Sequence, residues 1–393
     1  MSKSITETKP FSIMPIGACV LLQLTMGMLY GWSVLLVPLE NSLDISRSEV
    51  SIAYSLAFIF VTVGCFVTHR LMQWLSLPKL SMVIMSIGAA GIALAGFGEH
   101  LITLILGYGI LFGFASGVSY FLAVSACGIR SPLPHSVSLS IAVASFALGG
   151  VMWPSIYTAL IQWVGVFPTL QLSACIILLA GILSYYLFRS SNAEVPKPES
   201  EVGFFEDMLT NKPRIMICLW IGFFLLAFAA LMIIGHAAGM VNEWAKNDIA
   251  LGPMLPNLGY ITGALIAGQI CRFLPGKTVT VGMCTLAAIV LFLAWIIPGV
   301  TLGFLMLALV GVSFGMASTA YPATIGNYYG VNEIPRIYGR QSISYGIGGL
   351  IGPLAAAAIF DGTLSYSLSI LTAAVIAAVA AIVHLSLPKI KAT

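Results

Sequence analysis

The chain has 393 residues, of which 59% are hydrophobic and only 8% charged. Soluble domains carry about 25% charged residues, so this composition excludes an ordinary soluble protein and points to a chain that lies mostly in lipid. A net charge of +3 gives no ground for expecting a nucleic-acid partner.

A bilayer core about 30 Å thick needs about 20 apolar residues per helix. Twelve runs of roughly that length follow one another, at 11–38, 49–69, 80–98, 101–127, 137–163, 168–189, 214–242, 254–273, 277–298, 300–329, 336–360 and 363–385. The first run is longer than the ~7–15 residue core of a signal peptide and has no evident cleavage site, so it is expected to stay as a span. With a cytoplasmic N-terminus, fifteen lysines and arginines fall in inside segments, among them Arg70, Lys79, Arg130, Arg272 and Arg340, and only Arg47 and Lys246 fall outside. That asymmetry places both termini in the cytoplasm.

The chain repeats itself. SFALGGVMWP at 145–154 returns as SYGIGGLIGP at 344–353, offset by 199, and FGFAS at 112–116 returns as FGMAS at 314–318, offset by 202. Two echoes that keep order and spacing indicate a duplicated unit. Six runs per half is an even number, so both copies enter the membrane in the same direction. The expected architecture is an all-α membrane protein of twelve transmembrane helices in two parallel six-helix halves, residues 1–189 and 214–393. A cytoplasmic linker at 190–213 joins them, and Phe204, Phe205, Met208 and Leu209 suggest a short interfacial helix within it. Glycines four apart, such as Gly109, Gly113 and Gly117, or Gly311 and Gly315, suit helices that pack closely in lipid. Pro154 and Pro353 fall inside helices, where a kink is expected.

No Asp, Glu, Lys or Arg lies near the centre of a run, so other polar groups stand out. His236 is the one histidine read as well inside a helix, since His69, His100, His135 and His384 fall at run boundaries, and an intramembrane ionisable residue is a functional candidate. The pocket-lining candidates are Gln23 and Tyr30 on the first run, Tyr120 on the fourth, Trp153 on the fifth, His236 on the seventh, Tyr260 on the eighth, Tyr321 on the tenth, and Gln341 and Tyr345 on the eleventh. Met232, His236 and Met240 stand at i, i+4 and i+8, a spacing that a soft cation such as Cu(I) could use. The seven cysteines, Cys19, Cys65, Cys127, Cys175, Cys218, Cys271 and Cys284, have no C-x-x-C spacing. Nor is there a phosphate-binding glycine loop, a zinc-protease signature or a nucleophile elbow, so neither an enzyme nor a cofactor is expected.

LYGWSVLLVPL at 29–39, ALMIIGHAAGM at 230–240 and PRIYGRQSISYGIGGLIGP at 335–353 resemble the oxalate/formate antiporter family, a monocarboxylate-transporter-like branch of the major facilitator superfamily. The resemblance spans the chain and implies an exchanging or facilitative carrier of small organic anions, with protons as a candidate co-substrate. It also implies basic residues in the eighth and eleventh helices of dicarboxylate carriers. Here those positions hold Ala264 or Leu265, and Tyr345.

The reading is a secondary active or facilitative carrier of a small organic solute, a monocarboxylate by preference, working by alternating access as a monomer in a bacterial-type inner membrane. The alternatives are a neutral, zwitterionic or copper substrate, and a non-transporting receptor of the same fold. In the proton-coupled form of the reading, His236 is the group that titrates.

Overall fold

The computed structural model describes residues 12–127, 129, 131–133, 135–191, 212–245, 248–271, 273–330 and 334–388. Among them the structure is helical, with no strand. We number the helices α1 (Met14–Leu43), α2 (Arg47–Trp74), α3 (Leu77–Gly98), α4 (Leu101–Ala126), α5 (His135–Val164) and α6 (Val166–Ser191). The second set is α7 (Pro213–Ile234), α8 (Leu251–Ile270), α9 (Gly276–Ile296), α10 (Val300–Tyr329), α11 (Ile334–Thr363) and α12 (Ser367–Leu385). The linker at 192–211, with its suggested interfacial helix, lies outside the described residues, as do Arg272 and the side chain of Arg340.

Among the described residues, eleven helices are long and apolar enough to cross a membrane. The helix in the place of the eighth expected span, α8, is 20 residues long but is not one of the eleven. Pro253, Pro256, Asn257 and Gln269 dilute its hydropathy, and Pro256 and Asn257 face other helices instead of lipid.

Three helices depart from simple expectation. α1 tightens into a 3-10 turn at Gly27–Gly31. α4 widens into a π-helical stretch at Ile105–Phe112. The seventh run, expected to be continuous over 214–242, breaks at Gly235 and His236, and a short helix, Ala237–Trp244, follows. His236 is its N-cap, with φ −116° and ψ 9°, so the residue expected inside a helix instead sits at a helix break. α5 and α11 run through Pro154 and Pro353 without interruption.

Packing repeats with the sequence. Within the first six helices α2 packs on α4, α3 on α6, and α1 on α5; within the last six α8 packs on α10, α9 on α12, and α7 on α11. Each of the second set is the first with six added. The glycine stripes explain the closest of these contacts. A methyl group added at Gly113 would lie 2.7 Å from the Ala57 carbonyl oxygen of α2, and Gly311 and Gly315 meet the Pro256 and Tyr260 carbonyls of α8 in the same way. Lipid offers no hydrophobic drive for such pairing, so backbone-to-backbone approach supplies it through dispersion.

The two sets meet chiefly through α2 on α11 and α5 on α8, again a pair related by adding six. This gives the repeated Gly-Gly dipeptide its structural role. The first glycine packs within its own set, Gly149 against Leu24 and Gly27 of α1, and Gly348 against Phe224 and Ala227 of α7. The second packs across: Gly150 against Asn257 of α8, and Gly349 against Phe58 of α2, where an added methyl would stand 2.5 Å from Phe58 Cγ.

Candidate functional site

Arg47, Ser48, Tyr54 and Phe58 occupy the N-terminal half of α2. Because successive helices alternate in direction, the C-terminal halves of α5 and α11 and the N-terminal half of α8 reach the same end of the bundle, here called the joined end. An aromatic seam lies deeper between the two sets. Tyr30, carried on the 3-10 turn of α1, places its hydroxyl 3.1 Å from that of Tyr345 on α11. Around this pair, Phe146 of α5 meets Tyr30 edge-on at 5.6 Å, and Tyr120 of α4 meets Phe146 at the same distance. On the other side Phe314 of α10 stacks on Tyr345 at 6.1 Å and meets Tyr260 of α8 at 5.9 Å, while Phe58 contacts Tyr345 at 5.6 Å. Tyr120, Phe146, Tyr260 and Tyr345 are partly accessible, so these rings form a wall and not a sealed core. Of the candidates named from the sequence, Tyr30, Tyr120, Tyr260 and Tyr345 therefore share one uncharged, aromatic and hydroxyl-bearing seam.

The other candidates stand elsewhere. Trp153 donates from Nε1 to the Leu24 carbonyl at 3.0 Å, which fastens α5 to α1. Gln341 donates to the Leu219 carbonyl of α7 at 2.5 Å, and its Oε1 is buried without a partner. Gln23 is wholly buried, and neither amide atom has a hydrogen-bond partner. Buried amides are rarely left so. Tyr321 is also wholly buried. Its hydroxyl lies 2.9 Å from Nε2 of His384, whose Nδ1 lies 2.7 Å from the Ala380 carbonyl. His384 stands at the end of α12, as of its run, but its ring is buried there: it packs against Gly222 of α7, and its Nδ1 lies 3.7 Å from Cys284 Sγ of α9. A charge-free run end gave no hint of that.

At the joined end lies a polar network. Arg47, 8% exposed, makes an ion pair with Glu40 at 2.8 Å, and its Nη1 donates to the Tyr366 hydroxyl at 2.8 Å. Its guanidinium sits 3.7 Å above the ring of Phe360. Ser48 donates from its backbone N–H to Asp361 at 3.0 Å, with its hydroxyl on the same carboxylate. Glu40 belongs to α1, but Tyr366, Phe360 and Asp361 belong to the second set, so this is a latch across the halves.

His236 continues the latch. Nε2 lies 2.9 Å from the Pro353 carbonyl, which can only accept, so Nε2 carries the hydrogen. Nδ1, 3.1 Å from the Tyr366 hydroxyl, then accepts from it. The chain of donors runs from Arg47 through Tyr366 and His236 to Pro353 O. Both ring nitrogens are occupied, and the helix break removes the regular i, i+4, i+8 face on which Met232 and Met240 were aligned with it, so the copper arrangement loses its geometric basis. The latch was missed in the sequence, although one signal was there: Arg47 was one of only two basic residues on the wrong side of the charge asymmetry.

The sequence pattern of the Major Facilitator Superfamily matches residues 16–339 and, overlapping them, 219–392. An uncharacterized MFS-type transporter, YhjX, of Escherichia coli (strain K12) is 24% identical over 344 residues, 84% of each chain. The MFS-type transporter pynF of Aspergillus niger is 23% identical over 58% of this chain and 54% of its own. Among solved structures, a POT family transporter in complex with a thioalcohol-conjugated peptide superposes with a TM-score of 0.76 at 13% identity, over 94% of this chain and 95% of that one. A bacterial homolog of the human lysosomal transporter Spinster, inward-facing and unoccupied, gives 0.70 at 14% identity over the same shares. At these identities the two structures speak to the fold alone.

Proposed function

The chain belongs to the Major Facilitator Superfamily and is a membrane transporter, not an enzyme; from that premise we propose that it carries a small monocarboxylate by alternating access. The moving parts in this reading are the six-helix halves 1–189 and 214–393, joined by the cytoplasmic linker 190–213, in an inner membrane with both termini cytoplasmic. The joined end then faces outward.

One observation carries the substrate assignment: the Tyr30 and Tyr345 hydroxyls face each other across the halves within an aromatic wall. A carboxylate entering between them would accept a hydrogen bond from each, and the rings would cover its apolar part. Hydroxyls without a basic side chain suit one negative charge better than two, and this agrees with the family resemblance in LYGWSVLLVPL and SYGIGGLIGP. A neutral solute is the second reading, favoured by the same uncharged wall.

Proton coupling, in this reading, rests on His236. A proton on Nδ1 would take away the acceptor that the Tyr366 hydroxyl uses, leaving two donors, Arg47 and His236, directed at one oxygen. The latch would weaken and the outer end would open, while Asp361 and Glu40 beside it keep the local charge from rising further.

Proteoliposomes loaded in turn with acetate, lactate, pyruvate, oxalate and alanine test the assignment by counterflow. Exchange of the monocarboxylates that falls in Tyr345→Phe supports it. Exchange of alanine alone transfers the site to neutral or zwitterionic solutes, and preference for oxalate refutes the charge argument.

A further inference from the structure

Above the aromatic seam, toward the joined end, the structure holds a separate cavity of about 200 Å³ that is open on one side. Ser33 and Val37 of α1, Ile161 of α5, Ala238 and Asn242 of the short helix, and Ile249 contribute to its wall. None of them belongs to the aromatic seam or to the Arg47 latch. The wall is drawn from both halves.

Ser33 gives this cavity a chemical direction. It is 2% exposed, and its hydroxyl has no hydrogen-bond partner. Hydroxyls in these helices ordinarily bond the carbonyl four residues back, as Thr25, Thr62, Ser145 and Thr158 do. For Ser33 that carbonyl belongs to Leu29 on the 3-10 turn, and the Tyr108 hydroxyl already bonds it at 3.3 Å. The usual acceptor is thus engaged by another helix, and a buried hydroxyl is left unpaired in the wall of a cavity. Ser51, Ser55, Ser116 and Ser184 are buried and unpaired as well, but of these hydroxyl groups Ser33 is the one whose residue contributes to this wall, where a bound partner could satisfy it.

We infer that this cavity is a second ligand site, for a small uncharged molecule with an apolar body and one oxygen that can accept from Ser33. Val37, Ile161, Ala238 and Ile249 cover the apolar body. Asn242 and the exposed Gln162 are neutral amides, and among the described residues no charged one contributes to the wall, so a charged ligand would be desolvated without compensation from them. Volume gives the scale: an enclosed apolar cavity of about 150 Å³ takes benzene, so a molecule of the size of benzyl alcohol fits the space here.

The site also has a consequence for transport, and this part rests on the alternating-access reading. α1 and α5 must separate from the short helix when the joined end opens, and the cavity is dismantled with them. A ligand bound only to the closed arrangement shifts the equilibrium by a factor of 1 + [L]/Kd, about elevenfold at ten times Kd. Occupancy therefore holds the outer end shut.

Thermal unfolding of the purified full chain with benzyl alcohol and with toluene tests the site without any transport step. Both probes should raise the midpoint saturably. Ser33→Ala should weaken benzyl alcohol about threefold to tenfold and leave toluene unchanged, and Val37→Trp, which fills the cavity, should abolish the effect of both. If Val37→Trp does not fold, Ile161→Phe serves the same purpose. Shifts that do not saturate, or saturable binding that survives filling of the cavity, overturn the proposal. The gating consequence is read separately, on a cysteine at Ser51 labelled by a membrane-impermeant maleimide from outside. Saturating benzyl alcohol should slow labelling about tenfold, and an unchanged rate overturns the gating claim. A protein that binds the probes but moves no solute would refute the carrier reading and leave the site standing.

Discussion

Replacing Arg47 with glutamine should release the outer end. The ion pair with Glu40 joins α1 to α2 inside one half, so it is present whether the end is open or shut and cancels from the gating equilibrium. Only the contacts to Tyr366 and Phe360 cross between halves. A hydrogen bond from a charged donor contributes about 1.5–3 kcal/mol, and a cation above an aromatic face about 0.5–2 kcal/mol. In the open state Arg47 regains water, and glutamine keeps some capacity to bond Tyr366, so a net loss of about 2 kcal/mol is expected. At about 1.4 kcal/mol per factor of ten, that is roughly a thirtyfold rise in the open population. The assay is labelling of a cysteine at Ser51, which is fully buried one turn along α2, by an impermeant maleimide in intact cells. Labelling of Arg47→Gln within twofold of the parent would falsify the latch and return Arg47 to a role in folding alone.

Tyr30→Phe and Tyr345→Phe should each lower solute affinity by about 0.5–1.5 kcal/mol, or up to about 3 if the acceptor is charged, with the double variant losing less than the sum; uptake kinetics at constant protein level check this. Tyr321→Phe should behave differently. It leaves a buried nitrogen of His384 unpaired, so thermal stability should fall by about 1–3 kcal/mol while the Michaelis constant stays put. His236→Gln should abolish the acceleration of Ser51→Cys labelling by external acid, because the group whose protonation displaces Tyr366 is gone; acid sensitivity that persists would place proton coupling elsewhere. Topology is checked by two single cysteines. One at Asp248 should react with impermeant reagents and one at Glu199 only with permeant ones, and the reverse pattern would invert the orientation.

Much of the architecture was legible because lipid imposes a simple rule. Backbone groups in a bilayer must be satisfied within a helix, so runs of about 20 apolar residues mapped onto helices with ends displaced by a few residues. The exception shows the limit of that rule. α8 carries two prolines and an asparagine, which read as weak hydropathy, and only the fold shows that Asn257 donates to the Gly150 carbonyl across the halves at 3.2 Å. The break at Gly235 and His236 was hidden for a related reason: the stretch holds no proline, and a glycine such as Gly235 is tolerated inside a membrane helix and does not by itself mark a stop.

By itself the sequence determined the internal repeat, eleven of the spans and a bundle whose centre lacks charge, because each follows from composition and spacing along one chain. It also singled out Tyr30 and Tyr345, but as two of many tyrosines. Tertiary structure decided which polar groups meet: Tyr30 with Tyr345, 315 positions apart, Arg47 with Tyr366, 319 apart, and Tyr321 with His384, 63 apart. Hydropathy depends on each residue's own transfer from water, which local sequence records. A hydrogen bond between halves depends on the approach of two helices, and that is set by the glycines and carbonyls of every helix packed between them.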